Sequence, residues 1–265
     1  MPTARTDGTE LYYEADGEGE TVALVPDLGL GAWQWGWQHA ALAGPYEVLV
    51  FDARGTGRSS SPKGPYTVEM LAADLEAVLA DHRSHGVHLV GAGLGGMVAL
   101  RYAREYSRAT TMTLIGTSSG GPRSRLPSEP RERLFAPRDD LDALHESLGA
   151  LFSADFLADQ PDVIDGIVEW RASGDADRPG WEAQNAAFEA FDASDWLYEV
   201  TIPTLVIHGR DDRIVPLENG QRLADGLPRG TFETYAGAGH GVWIERSRPV
   251  NDRLAAHLED GTETT

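Results

Sequence analysis

The nine residues His88–Gly96, HLVGAGLGG, constrain the fold more tightly than any other stretch. An apolar run that ends in alternating glycines and continues into small apolar residues reads as a strand, a tight turn and a helix packed closely under a sheet. Such a junction belongs to a parallel α/β architecture, because successive parallel strands need a crossover between them. Gly93 stands at the middle of the turn. Two chemistries use a turn of this shape: GxSxG, which presents a serine nucleophile at that position, and GxGxxG, whose backbone cradles a pyrophosphate.

The flanking pattern agrees with a mostly parallel, twisted sheet carrying helices on both faces. ELYYEADGEG and TVALVPD read as two strands joined by a glycine turn, and YEVLVFDARG as a third. The spacing predicts a helix over Thr67–Asp81, capped by Thr67, with Met70, Leu71, Leu75, Val78 and Leu79 on one face. After the strand VHLVGAG come a helix over Leu94–Tyr106 and the strand ATTMTLIGTSS. From about Gly120 the rhythm changes to proline-rich turns and short amphipathic helices without a convincing strand. It resumes with TIPTLVIHG, a helix over Leu217–Leu227, the strand TFETYAG and a helix from Pro249 to Leu258, and the polar tail EDGTETT is expected to fray. The expected organisation is a core over residues 1–120 and 199–265, interrupted by a helical cap over 121–198.

Position in the chain separates the two turn chemistries. A dinucleotide fingerprint follows the first strand of its fold, with a carboxylate ending the next strand about 20 residues later. Here the turn follows the fourth or fifth strand, and TTMTLIG ends without a carboxylate. Three segments then fall in the order nucleophile, acid, base: GAGLGG, HGRDDRIVP and GAGHGVWIE. The histidine is His240, and the acid is Asp212, with Asp211 as the fallback. A carboxylate at a strand end can fix the tautomer of such a histidine.

From about Thr21 to Pro249 the chain resembles α/β-hydrolases of the 3-oxoadipate enol-lactonase and aclacinomycin methylesterase type, through DLGLGAWQW, FDARGTGRSS, GPYTVEMLAADLEAVL, GAGLGGMVAL, IPTLVIHGRDDRIVP and AGHGVWIE. The resemblance implies an ester or lactone hydrolase needing no cofactor. It departs at two points. Gly93 takes the place of the nucleophilic serine, and Asp27 follows Pro26 where the family carries a small pair. By position, the N–H groups of Leu28 and Leu94 form the oxyanion hole, and a carboxylate at Asp27 opposes an oxyanion unless protonated or turned away. Ser118 and Ser119 follow another strand and would have to reach across the pocket.

Three functions stay open. Asp212 and His240 could activate a water in the space above Gly93; the fold could serve as a non-catalytic small-molecule binder or interaction module; or Gly93 could mark an inactivated serine hydrolase. Asp27, Trp33, Ser118, Trp170, Trp181 and Trp243 are the candidate pocket residues, and the tryptophans point to an apolar or aromatic ligand, with packing between cap and core as the alternative. Asp52 and Arg54 read as a loop brace. His82, His85 and His88 read as a solvated helix end, and no metal site is expected.

Composition narrows the partners. The 265 residues contain no cysteine, which excludes disulfides and thiolate chemistry. The net charge is −20 and Lys63 is the only lysine, so nucleic acid and anionic membranes are repelled. The same balance resembles proteins adapted to high salt. Without a spanning apolar run or a leader pattern in MPTARTDGTE, the expected location is the cytoplasm, as a monomer or homodimer acting on a small molecule.

Overall fold

Apolar runs bounded by turns form the strands, as their side chains require. β1 (Thr3–Thr6) and β2 (Thr9–Asp16) make an antiparallel hairpin, and β3 (Thr21–Val25), buried along its whole length, follows. A 3-10 turn (Ala32–Trp35) and α1 (Gly36–Leu42) lead to β4 (Glu47–Phe51), then α2 (Val68–His82), β5 (Val87–Ala92), α3 (Leu94–Glu105) and β6 (Ala109–Ile115). Five helices come next: α4 (Ser128–Glu132), α5 (Leu141–Leu151), α6 (Ala154–Asp159), α7 (Pro161–Gly174) and α8 (Arg178–Ala190). The chain closes with β7 (Thr204–Gly209), α9 (Leu217–Gly226), β8 (Gly230–Tyr235), α10 (Val242–Glu245) and α11 (Ser247–Thr262). This is a computed structural model, and it describes residues 2–262.

The eight strands form one sheet in the order β1-β2-β4-β3-β5-β6-β7-β8, parallel from β4 to β8. From β3 the chain turns to β4 on one side, then crosses to β5 on the other. At such a reversal a crevice opens beyond the carboxyl ends of the strands. Val25 is in register with Gly91, so Pro26-Asp27 and Ala92-Gly93 leave the sheet side by side.

Several boundaries differ from the sequence reading, each for a physical reason. The first strand comes from the Asp7-Gly8 turn, whose φ angles of 45° and 79° suit a two-residue hairpin. Met70 is 44% exposed, because α2 turns Leu71, Ala72, Leu75, Val78 and Leu79 inward instead. The Thr67 cap is as expected, its hydroxyl accepting from the Met70 N–H. The closing helix runs on through Gly261, where only the missing side chain lets the backbone meet Thr111; Glu259–Thr262 are therefore helical, and the rest of the expected frayed tail lies outside the described residues. Between β6 and β7 the described residues form helices and turns, with a single bridge, Gly120 to Asp192, drawing the two ends of the segment together.

Candidate active site

Glycines build the turn after β5 by allowing contact that any side chain would block. A Cβ at Gly91 would collide with the Gly95 carbonyl, and one at Gly95 with the Val25 carbonyl, so α3 sits directly on β5 and β3. Gly93 itself has φ +47° and ψ −114°, a conformation strained for any residue with a side chain. Its N–H donates to the Ile115 carbonyl (2.9 Å), and its own carbonyl accepts from the Thr117 hydroxyl (2.6 Å).

The space above Gly93 is occupied by Asp27. A Cβ on Gly93 would collide with Asp27 Oδ1. That oxygen accepts the N–H groups of Leu28 (2.6 Å) and Leu94 (2.8 Å), the two donors expected to hold an oxyanion. The second oxygen, Oδ2, lies 3.0 Å from His240 Nε2. The expectation of an activated water at this place is thereby corrected. Asp27 is neither turned away nor part of a pocket wall; it sits in the donor cradle. Its backbone N–H donates to Gln34 Oε1 (3.2 Å), which fixes the loop.

The other half of the site comes from the loops after β7 and β8. Asp212 Oδ1 accepts from the N–H groups of Ile214 (2.9 Å) and Val215 (2.8 Å), and Oδ2 accepts from His240 Nδ1 (2.7 Å). Asp211, the fallback acid, is exposed. Asp27, Asp212 and His240 are 3%, 6% and 1% exposed, so their charges act on one another with little screening. Burial alone would push the His240 imidazole down, but the carboxylates of Asp212 and Asp27 outweigh it and hold the ring up at about 10. Burial likewise works to raise Asp212, and His240 and His208 overcome it, leaving the carboxyl at about 2. At neutral pH His240 is therefore an imidazolium that donates from both nitrogens. It has no lone pair with which to take a proton from water.

Apart from Asp27 and Trp243, the candidate pocket residues lie away from this centre. Trp33 and Trp170 line an outer groove of about 540 Å³ together with Gly36, Trp37 and Ala40. Trp243 is fully buried: its ring stands edge-on to His240 (6.0 Å between centroids) and its Nε1 donates to the Gln34 carbonyl, so it supports the histidine and lines no pocket. Trp181 is buried against Gly29 and the Phe135 ring. Ser118 is spent in a turn, its hydroxyl bonded to Ser124 and to the Gly120 N–H. Asp52 and Arg54 brace loops: Asp52 accepts from the Ala32 and Arg58 N–H groups, and Arg54 pairs with buried Asp74. His82 bonds Ser84, and His88 is buried on β5 against Thr111.

Four supporting groups escaped the sequence reading. His208, at the end of β7, places Nε2 2.7 Å from the Val215 carbonyl and 3.4 Å from Asp212 Oδ2. Glu245, at the end of GHGVWIE, accepts from the Gly239 N–H (3.0 Å) and from Ser153, which pins the histidine loop. Gln184 of α8 accepts from the Gly29 N–H (2.7 Å) and donates to the Arg54 carbonyl and Thr56 hydroxyl. Asp175, paired with Arg171, accepts from the Gly31 N–H (3.2 Å) and Trp33 Nε1 (2.7 Å). The last two bind the helices inserted between β6 and β7 to the loop that carries Asp27. Polar residues on amphipathic helices look solvent-facing in sequence, so only the position of Glu245 beside the histidine offered a signal.

Known proteins share this framework. A putative carbamate hydrolase, RutD, of Stutzerimonas stutzeri is 30% identical over 264 residues, covering 95% of this chain and 96% of its own. A 3-oxoadipate enol-lactonase of Acinetobacter baylyi is 24% identical over 251 residues, covering 94% and 93%. The crystal structure of the enol-lactonase from Burkholderia xenovorans superposes with a TM-score of 0.87 at 27% identity, covering 97% of this chain and 100% of that one. The family model described as alpha/beta hydrolase fold matches residues 29–247, and with the sheet order and the placement of Gly93, Asp212 and His240, the chain belongs to the α/β-hydrolase family.

Proposed function

We propose that this protein is a small-molecule hydrolase of its family in which a carboxylate, Asp27, stands in for the elbow serine, giving a buried Asp27–His240–Asp212 centre. One observation carries the reading: a single carboxylate holds both oxyanion donors with one oxygen and meets His240 with the other. Esters, lactones and carbamates are all cleaved through a tetrahedral oxyanion, which needs those donors free. The substrates in the relatives' names are therefore not taken by the serine route here. A serine side chain at position 93 and Asp27 in its present place exclude each other, so the two departures are one reciprocal exchange, which speaks against an isolated inactivating substitution. The net charge of −20 and the single lysine support a working place at high salt.

A fluorophosphonate probe, which phosphorylates activated serines, tests the reading together with hydrolysis of para-nitrophenyl acetate. The wild type and Gly93→Ser are expected to stay unlabelled and inactive on the ester. Asp27→Gly combined with Gly93→Ser frees the donors and supplies the hydroxyl, and is expected to gain about 10²-fold or more over Gly93→Ser alone. Labelling of the wild type, or full activity from Gly93→Ser alone, rejects the reading. The depth of the three groups favours a second reading, a binder without turnover, whose mark is saturable ligand binding with no product from any substrate class.

A further inference from the structure

We infer that the outer groove at Trp33, Trp37 and Trp170 binds an organic cation of the quaternary-ammonium kind, at a place separate from the Asp27 centre. The three indoles come from two parts of the chain. Trp33 and Trp37 stand four residues apart on the 3-10 turn and α1, and Trp170, 44% exposed, meets them from α7. The Trp33 and Trp170 rings are 6.4 Å apart and tilted by 32°, while Trp37 stands nearly at right angles to Trp170, at 73° and 5.9 Å. The rings thus make two walls of a corner, Gly36 and Ala40 complete the lining, and the volume is about 540 Å³. Gly36 keeps the corner open. Its φ of −51° and ψ of −38° are ordinary helix, which any residue adopts, and a Cβ there would meet no atom within 4 Å.

Charge selects the occupant. No charged side chain lines the groove, so a metal ion or a carboxylate finds no partner in it. Beside it, α7 carries two exposed carboxylates, Asp162 and Glu169, which form no ion pair among the described residues and project within about 100° of Trp170 around the helix. The one cation of α7, Arg171, is buried and paired with Asp175, and His39 of α1 is held by Asp16 at 3.1 Å. With a net charge of −20, the whole molecule draws cations toward it. An alkylated ammonium is weakly hydrated and is attracted to the faces of indoles, the best of the aromatic partners. A second copy of the chain brings the same negative charge, and a protein interface takes about 20–30 residues a side, whereas this volume suits a small ligand.

Such a ligand touches both sides of a seam. Trp33 donates from Nε1 to Asp175 Oδ1 (2.7 Å) just beyond α7, and a Cβ on Gly31 would collide with the Gly174 carbonyl. Gln34, next in the chain, accepts the Asp27 N–H (3.2 Å). A cation held by Trp33, Trp37 and Trp170 therefore fastens the inserted helices to the turn that leads away from Asp27, and stabilises the closed molecule.

The test titrates benzyltrimethylammonium into the unaltered protein at constant ionic strength, followed by indole fluorescence. Two controls share its shape: the neutral 2,2-dimethyl-3-phenylpropan-1-ol and the anionic 2,2-dimethyl-3-phenylpropanoate. The cation is expected to give a saturable response, the alcohol to bind about 5-fold or more weakly, and the anion not to bind. Gly36→Leu, which fills the corner from a helical position, should abolish the response at an unchanged or higher melting temperature, and Trp170→Phe should weaken it. Bound cation should also slow hydrogen exchange across residues 27–34 and in α7. Absence of a saturable response, or equal binding of the alcohol or the anion, overturns the inference. A response that survives Gly36→Leu places the cation elsewhere and overturns the site, and exchange unmoved by saturating cation overturns the fastening of the seam. The serine probe is indifferent to all of these outcomes, so the reading of Asp27 stands or falls separately.

Discussion

The two halves of the site are built differently. The histidine half joins an acid and a base in the order read from the chain, whereas the nucleophile half, at the turn after β5, sets a carboxylate over a glycine. Asp212 and His240 sit in loops that satisfy themselves: Asp212 takes two N–H groups from its own turn, and Glu245 pins the histidine loop from within. The nucleophile half is a junction between two strands, with Asp27 after β3 and Gly93 after β5 contending for one small volume. A self-contained half tolerates change around it. A shared volume admits one side chain, so a change on either strand forces a change on the other.

The largest effect should come from removing what joins the halves. His240→Ala leaves Asp27 and Asp212 as two buried carboxylates without their cation, and is expected to cost about 4 kcal/mol in urea unfolding. Asp27→Ala takes away only the nucleophile half and should cost less, about 2 kcal/mol, from two unpartnered N–H groups. Its more informative mark is a lower His240 pKa in an NMR titration; an unmoved value would mean that the halves are electrostatically independent.

Stability should also follow pH in a way that separates them. His240 is raised from 6.5 to about 10, so its contribution is complete below 6.5 and disappears as pH rises through 10. Asp212 is lowered from 3.8 to about 2, so its contribution is complete above 3.8 and disappears as pH falls through 2. Melting temperatures measured across this range should be highest between those limits, and Asp27→Ala should move only the alkaline side. Gln184→Ala should cost about 1 kcal/mol and speed hydrogen exchange in α8 without moving the His240 titration. Asp211→Ala, beside the acid but exposed, should stay within about 0.5 kcal/mol on every readout.

Much of this architecture is legible in residues. Periodicity places the sheet strands from β2 onward and α2, and the count from Gly209 singles out Asp212 over its neighbour. What escapes is contact between distant segments. Pro26-Asp27 and GAGLGG each read as a defect, the first opposing an oxyanion and the second lacking a nucleophile. Only the Val25–Gly91 register turns the pair into one arrangement. Spacing also cannot say which side of a helix an indole faces, and so Trp33 and Trp170 fall in an outer groove while Trp243 packs under His240. The Asp7-Gly8 hairpin carried a readable turn signal that only its pairing with Glu10 and Leu11 completes.

Gln184 and Asp175 tie the inserted helices to the Asp27 loop with buried hydrogen bonds. Asp27 is 3% exposed, so a ligand can meet it only if the surrounding chain opens, and on that premise the pace of arrival would be set by the protein. Association rates should level off as ligand concentration rises, reaching a ceiling equal to the opening rate, and the apparent affinity should be weaker than the intrinsic one by the fraction of molecules open at any moment.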